Sequence, residues 1–335
     1  MMHLNGRALY NLLRVNWLED NAVDVKAWQV EDLTLVESEV LFERLKQLGV
    51  VLDPQSFLLF AENADSPEEL LELVWLKEEA SEERDQAYLL LFELWKRLLP
   101  DRPALSVLCD QIDQLIYSYD TGETEAEEHL QNALVILEDV LDDSSDTQGS
   151  PQEIFKILSS FCAHDLERFI FDFISDQIEE GNLAYASELI DAFEEYVEEK
   201  RRFEFLRARV IMHADVQEGN LVLERILDVL TEEPDLELLL TIAESLVRRG
   251  DIRLFMLSIR LSVALIKSEE QFQEILRLVA EYFRCLDREE EERSVLQFLQ
   301  ARSAIALHLP IQTSDLSQFS QILKRLFTLP TTQEE

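Results

Sequence analysis

Few residues of this 335-residue chain are spaced for chemistry. Asp142-Asp143-Ser144-Ser145-Asp146 sets three carboxylates within one short stretch, a spacing that chelates magnesium and holds it against a diphosphate. Such a centre needs a second acidic motif and cations for the diphosphate, and no other Asp-Asp pair occurs in the chain. The same stretch reads as a calcium loop with Asp142, Ser144, Asp146 and Glu153 as ligands. Thr147 stands where that loop turns on glycine, and Pro151 interrupts it. His164-Asp165 is a candidate metal-ligand pair for phosphate hydrolysis, with His129 and Asp215 as further ligands. Its setting, residues 160–166, reads as an amphipathic helical stretch, which favours a partly buried, hydrogen-bonded structural histidine. No two glycines lie closer than 27 residues, which removes every glycine-rich phosphate loop and the strained serine turn of hydrolases. HExxH and CxxC are absent, and nothing in the spacing assigns a cofactor.

The elements that would position these residues are helices. The chain has only 7 Gly and 8 Pro, too few for the turns of a sandwich, barrel or propeller. Leu236, Leu239, Leu240, Ala243, Leu246 and Val247 fall on one helical face. Residues 86–99 are apolar nearly all round, which predicts a central buried helix. Asp53-Pro54 and Ser66-Pro67 read as helix starts, Ser66 to Glu69 and Ser150 to Glu153 as capping boxes, and Gly49 as a helix stop. Residues 22–36 resist this pattern: Val23, Val25, Trp28, Val30, Leu33 and Leu35 alternate, which admits a short β-hairpin there. The expected fold is therefore all-α. A helical N-terminal domain (1–141) leads through an apolar-free acidic linker (142–151) to a helical array (152–328) and a frayed tail (329–335).

Charge constrains partners. With 69 Asp plus Glu against 30 Lys plus Arg, the formal net charge is −39. Such a surface repels phosphate backbones and anionic lipid and attracts basic segments, so direct nucleic-acid binding is disfavoured. No stretch has the length of a membrane span, and the amino terminus lacks an apolar core of signal-peptide length. Between Pro103 and Phe155 there are 13 acidic residues and no Lys or Arg. Within that run Glu123, Glu125, Glu127 and Glu128 are the candidate docking residues, although a solvated helical face plus a linker is the more ordinary reading of such a run. The opposite charge gathers at Lys200, Arg201, Arg202, Arg207 and Arg209, and the two clusters together leave room for self-association. Three cysteines, Cys109, Cys162 and Cys285, are odd in number and far apart, which points to a reducing compartment and the cytoplasm.

The C-terminal half repeats. Gly181-Asn182-Leu183, Gly219-Asn220-Leu221 and Gly250-Asp251-Ile252 each offer a helix-ending Gly, a capping Asn or Asp and an apolar residue. With Ala186, Ala243, Pro234 and Ala280 nearby, this pattern resembles the tetratricopeptide repeat over residues 153–310, with Glu224, Phe255 and Met212 departing from it. The resemblance implies stacked helical hairpins and a binding scaffold, and carries over no contact residue. The leading expectation is a non-enzymatic scaffold, adaptor or chaperone for a basic or amphipathic segment of another protein. The alternative is a metal-dependent phosphohydrolase, or a diphosphate enzyme akin to the helical isoprenoid synthases, using Asp142, Asp143 and Asp146 or His164 and Asp165.

Overall fold

A computed structural model describes residues 4–77, 81–102, 104–123, 126–145 and 149–326. The regular structure of these residues is helical and contains no strand, apart from one isolated bridge between Ser268 and Pro310. The fold is all-α. Two compact units divide the chain, the first made of residues 1–176 and 191–198, the second of residues 177–190 and 199–335.

The first unit begins with α1 (Arg7–Glu19), α2 (Ala27–Val30), α3 (Ser38–Gln47), α4 (Pro54–Ala61) and α5 (Pro67–Val74), which surround α6 (Glu82–Leu98). Every residue of α6 from Ala87 to Trp95 is buried, because its side chains are apolar in nearly all directions and each finds a neighbouring element. Starts and stops follow local chemistry. Asp53 caps α4 through the Ser56 amide, Ser66 caps α5 through the Glu69 amide, and Gly49 ends α3 with φ of 95°. Glu69 reaches back to the Asp65 amide rather than to that of Ser66, so the box at this start is displaced by one residue.

Residues 22–36 form no hairpin. They fold as the single turn α2 and a 3-10 turn, Leu33–Leu35. The carbonyl groups that a partner strand would have used are taken by a remote side chain. Arg97 on α6 donates to the carbonyl oxygens of Leu33 and Val36 at 2.7 and 2.6 Å, and Asp32 caps the 3-10 turn at Thr34.

Next come α7 (Leu105–Asp120), α8 (Ala126–Ser145) and α9 (Pro151–Ser159), which pack on one another within the first unit. Of the expected linker at 142–151, the first four residues are instead helical, and 146–148 lie outside the described residues. Asp142 to Ser145 are the last turn of α8, held by buried Leu141 and by the Ser144 hydroxyl donating to the Val140 carbonyl. Ser150 and Glu153 then form the capping box that starts α9. The chain leaves the first unit inside α10 (Leu166–Glu180) and re-enters it inside α11 (Leu183–Phe193).

The second unit contains α12 (Lys200–Ala214), α13 (Val216–Glu232), α14 (Leu236–Arg249), α15 (Ile252–Leu265), α16 (Glu269–Cys285), α17 (Glu289–Ala301) and α18 (Thr313–Leu326). Helices α12 and α13, α14 and α15, and α16 and α17 pair as sequence neighbours, while α13 touches α15 and α14 touches α16. The turns lie at Asp215, Gly250-Asp251 and Leu286 to Arg288. Asp215 and Asp251 cap the second helix of their hairpins, and Asp287 takes a left-handed φ of 55°. These three aspartates recur every 36 residues. Small buried residues, Ala208, Ala243 and Ala280, sit on the first helix of each pair.

Gly219 corrects the repeat reading. It lies inside α13 and is buried, and its turn is made four residues earlier by Asp215. A Cβ there would stand 2.1 Å from Met212 Cγ and 2.9 Å from the Met212 backbone nitrogen, so glycine serves close helix contact rather than chain reversal. Gly181 does take the left-handed conformation expected of it, with φ of 89°, whereas Gly250 ends α14 with an ordinary φ of −91°. At the far end Arg302 clamps α16 to α18. It pairs with buried Glu269 and, at 2.9 Å, with Asp315, and lies over the Phe272 ring at 4.9 Å.

Candidate interaction surface

The acidic residues of the 104–155 run separate into two kinds. Asp110 and Asp113 face inward from α7, at 1% and 3% exposure. Asp110 accepts from Lys96 Nζ at 2.6 Å, Asn11 Nδ2 at 3.0 Å and Gln114 Nε2 at 3.0 Å, with Arg7 Nε at 3.5 Å. Asp113 accepts from the Ala163 amide at 2.9 Å, the His164 amide at 3.2 Å and Asn11 Nδ2 at 3.1 Å, with His164 Nδ1 at 2.9 Å. These two carboxylates tie α7 to α1, α6 and the α9–α10 connection, so their chemistry is structural.

Each described catalytic candidate has its own local setting. His164 turns to Asp113, while Asp165 accepts from the Arg168 amide at 3.1 Å at the start of α10. His129 is exposed on α8, and Asp215 is occupied as the cap of α13. Asp142 accepts from the Tyr196 hydroxyl, Asp143 is exposed beside it, and Asp146 lies outside the described residues. Among the described residues no three His, Cys, Asp or Glu converge as metal ligands. A hydrogen bond with Cys109 and burial push the Cys162 thiol well above its usual range, the reverse of what a nucleophile needs. A cavity of about 280 Å³ lies between α2, the 3-10 turn, α3 and α6. Trp28, Leu33, Leu48, Leu89 and Leu90 line it, and its charged wall, Arg44 with Glu31 at 2.9 Å, is already paired.

Most of the remaining described acidic groups face outward. Glu123 is exposed just beyond the Gly122 turn, and Glu128 is exposed in the first turn of α8. Glu127 is half-buried and accepts from Gln131 Nε2 at 3.2 Å; Glu125 lies outside the described residues. Glu127 and Glu128 therefore sit where the helix dipole favours negative charge. Further along α8, burial followed by the charges of Asp142 and Asp139 pushes the Glu138 carboxyl above its usual range. A second crowded group stands on α16, where burial, Glu244 and Glu270 raise Glu274 against the opposing effect of Arg277.

The basic cluster is not a matching open surface. Arg201 pairs with Glu233, and Arg202 pairs with Glu199, with Glu237 at 2.9 Å and with Asp235 at 3.8 Å. Arg209 reaches Glu179 at 3.3 Å and lies over the Phe205 ring at 5.8 Å. Arg207 is half-buried on the same helix, and Lys200 is exposed at its start. Most of these cations thus serve the second unit's own carboxylates.

Sequence reasoning missed the buried pair Asp110 and Asp113. Its signal was an i, i+3 acidic pair within the otherwise apolar face of residues 105–116. No described helix is long and apolar enough to cross a membrane. The chain matches no protein-family model, and no curated protein or solved structure matches it.

Proposed function

We propose that this chain is a non-catalytic protein–protein interaction scaffold, an adaptor or chaperone that holds a basic or amphipathic segment of a partner protein in the cytoplasm. The observation that carries this reading is the imbalance of the charged surfaces. Arg201, Arg202 and Arg209 are matched within their own unit, whereas α8 crowds Glu138, Asp139 and Asp142 together in a stretch without a single cation. A basic partner relieves that repulsion, and a nucleic acid or anionic lipid would add to it. The hairpins with turns at Asp215, Asp251 and Asp287 support a tetratricopeptide-like array in the second unit.

The test is association kinetics. A partner captured from native cytosol at low salt is purified and rebound to the parent chain and to the Glu123→Gln, Glu125→Gln, Glu127→Gln, Glu128→Gln variant. The expected result is an association rate that falls as salt rises, and falls again in the variant, both read at a temperature where the melting curves show the two proteins fully folded. Equal rates and equal salt dependence would make these glutamates a solvated face only.

A further inference from the structure

The side of α8 that faces away from the core is amphipathic in its own right. Leu130, Ala133, Leu134, Leu137 and Leu141 are buried and recur at i, i+3, i+4, i+7 and i+11, which fixes the opposite side toward solvent. That opposite side is not uniformly polar. Val135 is 53% exposed and Ile136 49%, two β-branched residues that an exposed helix position gains nothing from holding.

Their neighbours along the helix are acidic. Glu128, Asn132, Val135, Asp139 and Asp143 are all exposed and follow one another at helical spacing, with Ile136 beside Val135. The stripe from 128 to 143 extends roughly 22 Å at 1.5 Å per residue, about the length of a 15-residue helix laid alongside. It carries an apolar centre with negative charge at both ends.

We propose that this face of α8 is a docking site for a basic amphipathic helix of a partner protein. The incoming helix rests its apolar side chains on Val135 and Ile136, and its Lys or Arg side chains meet Glu128 at one end and Asp139 and Asp143 at the other. Charge decides against a second copy of this chain as the occupant. A parallel self-pairing through the same face sets Glu128, Asp139 and Asp143 against their own copies, and an antiparallel one sets Glu128 against Asp143 at both ends. The inference rests on the scaffold reading and adds to it the seat and the kind of segment that fills it.

Two fluorescein-labelled peptides of equal length and charge test it by anisotropy, one an amphipathic Leu–Lys helix, the other an unstructured Gly–Lys chain. The expected result is that the parent chain binds the Leu–Lys helix about tenfold more tightly, from covering two half-exposed side chains. Val135→Ala/Ile136→Ala, which raises helix propensity and so preserves α8, removes that excess and leaves Gly–Lys binding unchanged. Asp139→Asn/Asp143→Asn weakens the Leu–Lys complex and flattens its salt dependence. Survival of the tenfold excess in the folded Ala variant overturns the α8 seat while the scaffold reading stands. If neither peptide binds the parent chain, both fall. Sedimentation showing a parent dimer that the Ala variant dissolves also overturns the proposal, in favour of self-contact.

Discussion

Glu138 and Glu274 show what acidic crowding does to single residues. Both carboxyls sit above the ordinary glutamate value of 4.5, first through burial and then through like charges nearby. The folded chain therefore holds these protons more tightly than the unfolded chain. Between the ordinary and the raised values the folded state binds more protons, so the contribution to stability falls as pH rises through that window, and the full penalty stands at neutral pH. Glu138→Gln is expected to stabilise the protein at pH 7 by about 0.3 kcal/mol, the scale of one like-charge pair a turn apart on a helix. The advantage should shrink as pH is lowered toward the ordinary glutamate value of 4.5, read as converging urea midpoints. A variant less stable than its parent at pH 7 would mean that Glu138 makes a favourable contact outweighing the crowding. Asp113 is the contrasting case, since Asn11 Nδ2 and the amides of Ala163 and His164, with His164 Nδ1 beside them, satisfy a carboxylate that sequence alone shows only as one more negative charge.

At the scale of the helix, Gly219 separates propensity from packing. Alanine in a helix interior is favoured over glycine by about 1 kcal/mol, yet the Cβ here meets the Met212 backbone as well as its side chain. Moving α12 away from α13 costs more than the propensity gains, so Gly219→Ala is expected to destabilise by about 1 to 3 kcal/mol in urea unfolding. A stabilised variant would show that the contact yields. The same position shows what the sequence could disclose. The all-α class, the buried helix α6 and the starts of α4, α5 and α9 were legible, because each rests on local composition or on side chains within three residues of their partner. The role of Gly219 was not, because it depends on a residue in another helix. Residues 22–36 misled for the same reason: their alternation is real, but Arg97 takes the carbonyls from far along the chain. Residues 142–145 of the supposed linker are likewise helical, following buried Leu141, and Tyr196 bonds Asp142 from 54 positions away. The 36-residue interval of Asp215, Asp251 and Asp287 was in plain view, but only the turns reveal which residues to count from.

For the whole molecule the net charge of −39 sets the response to salt. Self-repulsion works against any compact state, and its range shrinks from about 30 Å at 0.01 M to about 8 Å at 0.15 M ionic strength. The melting temperature is therefore expected to rise over that interval of sodium chloride. A fall would mean that the ion pairs, Arg202 and its three carboxylates among them, outweigh the repulsion. The buried helix α6 bears on how such a chain is made. Its apolar surface, alone in water, invites aggregation during synthesis. Yet the elements that pack on it most closely, α3, α5 and the 3-10 turn, all precede it in the chain. The ribosome releases those partners first, so this aggregation-prone segment emerges beside surfaces already waiting to cover it, and the core of residues 10–107 can close while the later hairpins are still being translated.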